Sequence, residues 1–577
     1  MHSTCRRFAA CVGVLSLLVV VPLFMPPAAT AEAEKAAPPI RLAVLVVFDQ
    51  MRGDYLHRWD ELYGEDGFHR LERGGIWFQN CHYPYAGTVT GAGHASLATG
   101  TSADKHGIIF NEWYDRKEGE EVYCAGHLRY QRVPAAPKKD PEDKETKTEK
   151  PRGQGTPERM LAPTLADALK EATGGRAKVV SLSMKDRSAC LPGGQRPDAC
   201  YWFDPADGVF VTSTYYRDGV HDWVAKYNAI KPADAYFGKE WNRLSAKLDY
   251  EKYSGPDDVI GEDVGYGQGR TFPHPMDGGL KKPGGKYYNA FYTSPYGNEV
   301  LLGLVKRAID AEKLGTHDVP DLLCVSFSCN DPIGHNYGPD SQEVLDVTLR
   351  SDLIIKELLA ALDAKVGKGK YIVAMSADHG VCPLPEVAAK QGKDAKRVVA
   401  ADQNKEATEF LEKTFPKQAN GKPIKKLVNE SIYLNAEWVK AQDVAPEKIE
   451  AALTEWLKTQ PGIQTAYSRT QLMKEIAADD KIGPMVRRSF HPDRSGDVMM
   501  VLKPYHIVWS RLKGTGHGTP HSYDTHVPLV VFGPGLVTGV RMDRVTPQAN
   551  VAILAKALGI KPPALADAPV PDKVFAP

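Results

Sequence analysis

Five stretches of the chain are continuously apolar and rich in β-branched residues: Arg41–Phe48 (RLAVLVVF), Lys178–Met184 (KVVSLSM), Asp321–Phe327 (DLLCVSF), Tyr371–Met375 (YIVAM) and Val527–Phe532. A strand with one face in water alternates polar and apolar residues, whereas one covered on both faces does not, so these runs predict buried strands of a parallel sheet. Between them lie segments with apolar residues at helical spacing. Pro163–Ala172 is one, and Ser294–Ala311, opening on Pro295, carries Leu301, Leu304, Val305, Ala308 and Ile309. Gln342–Leu362 adds Leu345, Leu349, Ile355, Leu358, Leu359 and Leu362. The alternation predicts an α/β fold with a doubly wound, mostly parallel central sheet flanked by helices.

The rhythm breaks in three places. The run KKDPEDKETKTEKPR at 138–152 is low-complexity and charged, and predicts a solvated loop. Residues 204–290 are rich in Gly, Pro, Tyr and Asp without a period, and predict long loops with short elements. Residues 401–510 carry a helical pattern at Pro446–Lys458 and a strand at Asp497–Leu502, and predict an inserted α+β cap region. The expected organisation is a core over 40–400, the insertion over 401–510, and the last part of the core over 511–577.

At 577 residues, 42% apolar and 25% charged, the chain can bury a large core. Lys+Arg and Asp+Glu stand at 72 each, so no overall field favours nucleic acid or an anionic membrane, and function has to come from a local site. Arg6 and Arg7, an apolar run from Phe8 to Phe24 and a small-residue cleavage site at Ala29-Thr30-Ala31 read as an export signal over 1–31. A retained anchor is the rival reading of that run. The mature protein is expected in the periplasm or outside the cell, with no stable membrane insertion; the sequence leaves its oligomeric state open, with a monomer favoured. Nine cysteines become seven once Cys5 and Cys11 leave; Cys190 and Cys200 are the pair expected to form a disulfide, and Cys324 reads as a buried hydrophobe.

Polar residues able to do chemistry recur where the strands end. Asp49 follows the first strand, with Asp54 a weaker neighbour; Lys185 and Arg187 follow the second, two apart and therefore on one face if the strand continues. Asp331 and His335 follow the third at a spacing of four, which on a helix aims both at one point. Asp378 and His379 follow the fourth, and His517, with His521 nearby, precedes the last. Ligand sites of open α/β sheets lie outside the carboxyl ends of the strands, although a capping or loop Asp is the plain alternative at any single position.

In YPYAGTVTGAGHASLATG, Thr90 precedes Gly91, Ala92 and Gly93 at a predicted helix start, where unpaired N–H groups would hold an anion beside the hydroxyl. Mixed oxygen and nitrogen donors suit Zn²⁺, and six of them suffice for two adjacent ions. Paired ions fit displacement at phosphorus, and coordination would turn the Thr90 hydroxyl into a nucleophile.

The segments FDQMRGDYL, TVTGAGHASLATG, HGIIFNEWYD, SMKDR, NDPIGHNYGPDS, SADHG and GHGTPHSYDTHVP resemble the alkaline phosphatase superfamily, and within it the exported, Thr-nucleophile, phosphate-irrepressible bacterial alkaline phosphatases. The resemblance spans residues 40–560. It implies Thr90 as the phosphorylated nucleophile, two Zn²⁺ per chain, Asp49, Asp378 and His379 on the ion that activates Thr90, and Asp331, His335 and His517 on the other. It also implies that Asn111 donates to a phosphoryl oxygen and that Lys185 and Arg187 contact the substrate phosphate. His521 matches no ligand position.

The implied activity is hydrolysis of small phosphate monoesters of broad range. The resemblance further implies that phosphodiesterases and nucleotide pyrophosphatases share the Thr, the Asn and the zinc ligands but lack the Lys-x-Arg pair; they are the first alternative. A catalytically silent metal- or phosphate-binding protein is the second. Sulfatases are disfavoured, since Thr90-Gly91-Ala92-Gly93 does not supply their Cys/Ser-x-Pro-x-Arg setting.

Overall fold

The computed structural model describes residues 40–136, 154–417, 419–508 and 512–577; the export segment and the charged run at 138–152 lie outside them. Its centre is a ten-stranded open sheet. In spatial order the strands are Gly539–Arg541, Gly75–Phe78, Leu529–Phe532, Tyr371–Ser376, Leu42–Phe48, Asp321–Phe327, Val179–Ser183, Ala199–Asp204, Val209–Ser213 and Arg132–Val133. Leu42–Phe48 lies in the middle, parallel to both neighbours, with Leu42 opposite Asp321 on one side and Tyr371 on the other. All seven of its residues are buried, as the unbroken apolar run requires.

The four strands Val179–Ser183, Asp321–Phe327, Leu42–Phe48 and Tyr371–Ser376 run in one direction and end on one edge. Leu529–Phe532 runs against its neighbour, placing Leu529 opposite Ser376. The start of that strand, and the loop before it, therefore return to the edge where the parallel strands finish. Helices Leu165–Ala172, Tyr296–Ala311 and Gln342–Lys365 match the predicted helical segments. Residues 204–290 hold only short elements, among them helices Asp222–Ala229 and Tyr250–Ser254.

The region from 401 to 510 has a sheet of its own, ordered Ile424–Val428, Ser431–Leu434, Val498–Leu502 and Ile463–Ser468, packed with helices Ala400–Thr414 and Pro446–Leu457. Val498, Met500 and Leu502 join Ile449, Leu453 and Leu457 in a separate apolar core, while Met499 and Val501 belong to the main one. Successive side chains of a strand point to opposite faces, so this strand is shared between the two cores, and Tyr467, Leu472, Val486 and Phe490 add to the region's contact with the main one. The residues from 40 onward form one compact unit. Among the described residues no helix is long and apolar enough to cross a membrane.

The expected Cys190–Cys200 disulfide is absent. All seven described cysteines are free and buried; Cys190 and Cys200 meet as a thiol pair, held where the helix Asp186–Gly193 packs on the strand Ala199–Asp204.

Candidate active site

Each parallel strand delivers a polar side chain to its carboxyl edge. Asp49 follows Phe48, Asp378 and His379 follow Ser376, and Asp331 with His335 lies one turn apart on the helix Asn330–Tyr337 behind Phe327. His517 arrives from the loop before the antiparallel strand, for the topological reason given above. Thr90 is the first residue of the buried helix Thr90–Thr99. Gly93 lets that helix lie against the Asp378 loop, since a β-carbon there would stand 2.2 Å from the Asp378 carbonyl oxygen.

The three imidazoles are oriented alike. Nδ1 of His379, His335 and His517 lies 2.9, 2.7 and 2.8 Å from the carbonyl oxygens of Gly380, Thr515 and Thr88. A carbonyl oxygen only accepts, so each Nδ1 carries the proton and each Nε2 presents a lone pair. Those lone pairs face oxygens. His379 Nε2 is 3.4 Å from Asp378 Oδ2, 3.6 Å from Asp49 Oδ1 and 3.4 Å from Thr90 Oγ1. His335 Nε2 and His517 Nε2 stand 3.1 and 3.7 Å from Asp331 Oδ1. Asp49 Oδ1 is buried without a hydrogen-bond donor, and Asp378 Oδ2 has only His94 Nδ1 beside it at 3.2 Å, a nitrogen it shares with the Thr90 carbonyl.

Lone pairs converging on anionic oxygens repel unless a cation stands between them. Donors around 2.0–2.2 Å from one tetrahedral ion would be about 3.3–3.6 Å apart; the three distances from His379 fall in that range, and the two to Asp331, 3.1 and 3.7 Å, lie just outside it. Asp49, Asp378 and His379 form one group able to hold a metal and Asp331, His379 and His517 a second, with His379 at the border and His335 on the same Asp331 oxygen.

Burial and charge act on these groups together. Burial and the Asp378 charge raise the Asp49 carboxyl, against the pull of Lys185. Burial would raise Asp331 and Asp378 too, but His335 and Lys185 hold the first well below its ordinary range, and His379 and His94 do the same for the second. Burial lowers His379 and His517, the latter further through its imidazole neighbours, which keeps both rings neutral as ligands require. Three buried carboxyls face a single ammonium, Lys185, whose Nζ donates to Asp49 at 2.7 Å and Asp331 at 2.6 Å. The deficit of positive charge is a second reason for a bound cation.

Arg187 reaches the Thr90 hydroxyl. Its NH2 group is 3.5 Å from Thr90 Oγ1, and its NH1 group donates to the Tyr123 hydroxyl at 3.2 Å. The expectation that Lys185 and Arg187 share a strand face is corrected, because the strand ends at Ser183, Lys185 caps the helix Asp186–Gly193 and Arg187 lies in its first turn. A strand-to-helix junction brings both to the same edge nonetheless. Asn111 Oδ1 accepts from Gly91 N–H at 2.8 Å, which leaves its amide NH2 to donate. Asp54 is tied to Arg52 by two bonds of 2.9 Å, and His521 donates to the Leu502 carbonyl.

Three participants carry no signal in the sequence reading. Gln50 donates its main-chain N–H to Asp378 and its side-chain amide to Asp331. His94 donates Nδ1–H to the Thr90 carbonyl, and Tyr123 donates to Asp186 beside Arg187. Only the helical spacing of Thr90 and His94 could have flagged one of them.

This arrangement agrees with the resemblance to the alkaline phosphatase superfamily, and comparison with known proteins shows that class of enzyme. Comparison narrows the class: the chain belongs to the type I phosphodiesterase / nucleotide pyrophosphatase family, whose model matches residues 43–524. It is similar to alkaline phosphatase PafA of Elizabethkingia meningoseptica, 32% identical over 519 residues covering 88% of this chain and 90% of that protein. Alkaline phosphatase PhoV of Synechococcus elongatus is 32% identical over 504 residues, 86% of each chain. The crystal structure of alkaline phosphatase PafA superposes with a TM-score of 0.84 at 31% identity, covering 94% of this chain and 100% of that one.

Proposed function

We propose that the protein is an exported, two-zinc alkaline phosphatase that hydrolyses small phosphate monoesters of broad range through a phosphothreonine at Thr90. The observation that carries this reading is the His379 Nε2 lone pair, which lies 3.4 Å from the Thr90 hydroxyl and 3.4 and 3.6 Å from the buried oxygens Asp378 Oδ2 and Asp49 Oδ1. Asp49, Asp378 and His379 with Thr90 would hold one ion, and Asp331, His335 and His517 the other. Zinc, when bound, supplies a Lewis acid that lowers the pKa of a hydroxyl and offsets charge on phosphoryl oxygens.

The chain's own groups do the rest. Thr90 Oγ1, its proton given up to solvent, attacks phosphorus at the positive end of its helix as the bond from phosphorus to the ester oxygen breaks, and the departing oxygen takes a proton from water and leaves as the alcohol. Asn111 donates its amide to one phosphoryl oxygen, and Arg187 offsets charge on others with a planar fork. Lys185, held between Asp49 and Asp331, adds positive charge beside the same oxygens. Water then cleaves the phosphothreonine, and two inversions give retention at phosphorus.

A monoester carries one more ionisable oxygen than a diester, so the Lys185 and Arg187 charges favour it. Diester or nucleotide pyrophosphate cleavage is the second reading, supported by the name of the matching family. A silent binding protein would have no use for a hydroxyl placed as Thr90 is.

The deciding experiment is turnover of an aryl phosphate monoester beside the matching diester, with zinc loaded, for the wild type and Lys185→Ala/Arg187→Ala. The expected outcome is a strong monoester preference, with the double variant losing mainly that activity by about 10²–10³-fold. Equal or better diester cleavage, unchanged in the variant, transfers the assignment to the phosphodiesterase reading.

A further inference from the structure

The insertion reaches the two segments that present Thr90 and Asn111. Ser489 ends its helix Gly483–Ser489 and is 1% exposed. Its Oγ accepts N–H bonds from Gly87 at 2.8 Å and Ala86 at 3.0 Å, three and four residues before Thr90. Ala86 N–H has a second acceptor, the Met485 carbonyl of that helix at 3.1 Å. The next residue, Thr88, accepts from His517 Nδ1 and donates its hydroxyl to the Thr519 carbonyl.

The Asn111 segment is held from the same region. Arg494 NH1 donates to the carbonyls of Gly107 at 2.5 Å and Arg159 at 2.7 Å, and its guanidinium lies 5.1 Å over the Trp113 ring. Asn429 donates its amide to the Glu112 carbonyl, directly after Asn111. Arg116, directly after the strand Glu112–Asp115, donates to the Ser495 carbonyl and Asp497 Oδ1. The two held segments are joined at the site itself, where Gly91 N–H bonds Asn111 Oδ1.

We propose that the insertion is a positioning brace for phosphoryl transfer, with Ser489 fixing the strand of chain that leads into Thr90 and Arg494 fixing the one that leads into Asn111. None of these residues touches the reacting atoms; each acts through main-chain groups a few residues away. A hydroxyl that accepts two N–H groups holds a turn more rigidly than packing alone, and losing it leaves Gly87 N–H buried without an acceptor. The inference rests on the roles given above to Thr90 and Asn111.

The test uses the full-length, zinc-loaded protein and four variants: Ser489→Ala, Asn111→Ala, the two combined, and Arg494→Met, which keeps an apolar stem on Trp113 while removing the donor. Turnover of an aryl phosphate monoester is read with zinc content, thermal unfolding and inhibition by inorganic phosphate. The brace predicts that Ser489→Ala loses about 10- to 100-fold in kcat, the cost of a reacting group displaced by up to about 1 Å, with zinc content and phosphate inhibition kept. In the Asn111→Ala background the same change costs less than about threefold, because the two act on one geometry and their losses do not multiply. Arg494→Met follows the same pattern.

Wild-type turnover in Ser489→Ala overturns the proposal, as does a loss that is equal in both backgrounds or is accounted for by lost zinc. If Asn111→Ala is itself fully active, the role assigned to Asn111 fails. The fall in kcat of Ser489→Ala at unchanged phosphate inhibition then decides the brace through Thr90.

Discussion

Glu262 is 1% exposed, with Oε2 accepting from Val259 N–H at 3.0 Å and Oε1 buried without a donor. Burial, reinforced by the Glu343 charge, pushes its carboxyl up to about 9. A carboxyl raised above its unfolded value of about 4.5 binds its proton more tightly in the folded protein. Its contribution to stability is therefore complete below pH ~4.5, declines as the pH rises, and is gone above pH ~9. Glu262→Gln removes this dependence. Thermal unfolding at pH 5, 7, 9 and 10 should show the variant gaining on the wild type across that window, by on the order of 2–4 kcal/mol at the alkaline end. Parallel pH curves for the two proteins would mean that Glu262 ionises freely in the fold.

Elements meet at the site with little room, and Gln50 shows how little. It follows the central strand with φ of 69°, a left-handed conformation that a side chain adopts only when its surroundings demand it. The demand here is double: its N–H reaches Asp378 and its amide reaches Asp331. Gly334, on the Asp331 helix, makes space for that amide, because a β-carbon there would lie 1.9 Å from Gln50 Oε1. Gly334→Ala should cost about 1–3 kcal/mol in overpacking and lower zinc retention under a competing chelator. Gln50→Ala removes the obstacle, so the double variant should unfold at about the temperature of Gln50→Ala alone. Additive losses would show that Gly334 and Gln50 do not meet.

The same close packing explains what the sequence revealed. Strands buried on both faces leave unbroken apolar runs, so Leu42–Phe48, Asp321–Phe327 and Tyr371–Ser376, and with them the positions of Asp49, Asp331 and Asp378, were legible. Asp331 and His335 were readable as one helical turn. The antiparallel strands Gly75–Phe78 and Val209–Ser213 are short and bounded by ordinary turns, and they were not read. Gln50, Tyr123 and Ser489 were invisible for another reason: each works through a partner 63 to 403 residues away in the chain. No local pattern marks such a pair.

Among the described residues, three buried carboxyls and three imidazole lone pairs gather around Lys185, with Arg187 beside Thr90, in two groups able to hold a metal. An unfolded chain offers no such convergence, so metal binding should appear as folding stability. A ligand that binds only the folded state adds RT ln(1 + [L]/Kd), which is about 1.4 kcal/mol for each tenfold rise in free zinc per site once the site is saturated. Two sites should give a slope near 2.8 kcal/mol per decade at free zinc above both dissociation constants. Asp331→Asn weakens one group while leaving Asp49, Asp378 and His379 in place, so its slope should fall to about half. Thermal or denaturant unfolding in zinc buffers of graded free concentration reads both slopes. An unchanged slope in Asp331→Asn would remove that carboxylate from the metal site, and a flat curve in the wild type would show that Lys185 and Arg187 alone balance the carboxyls.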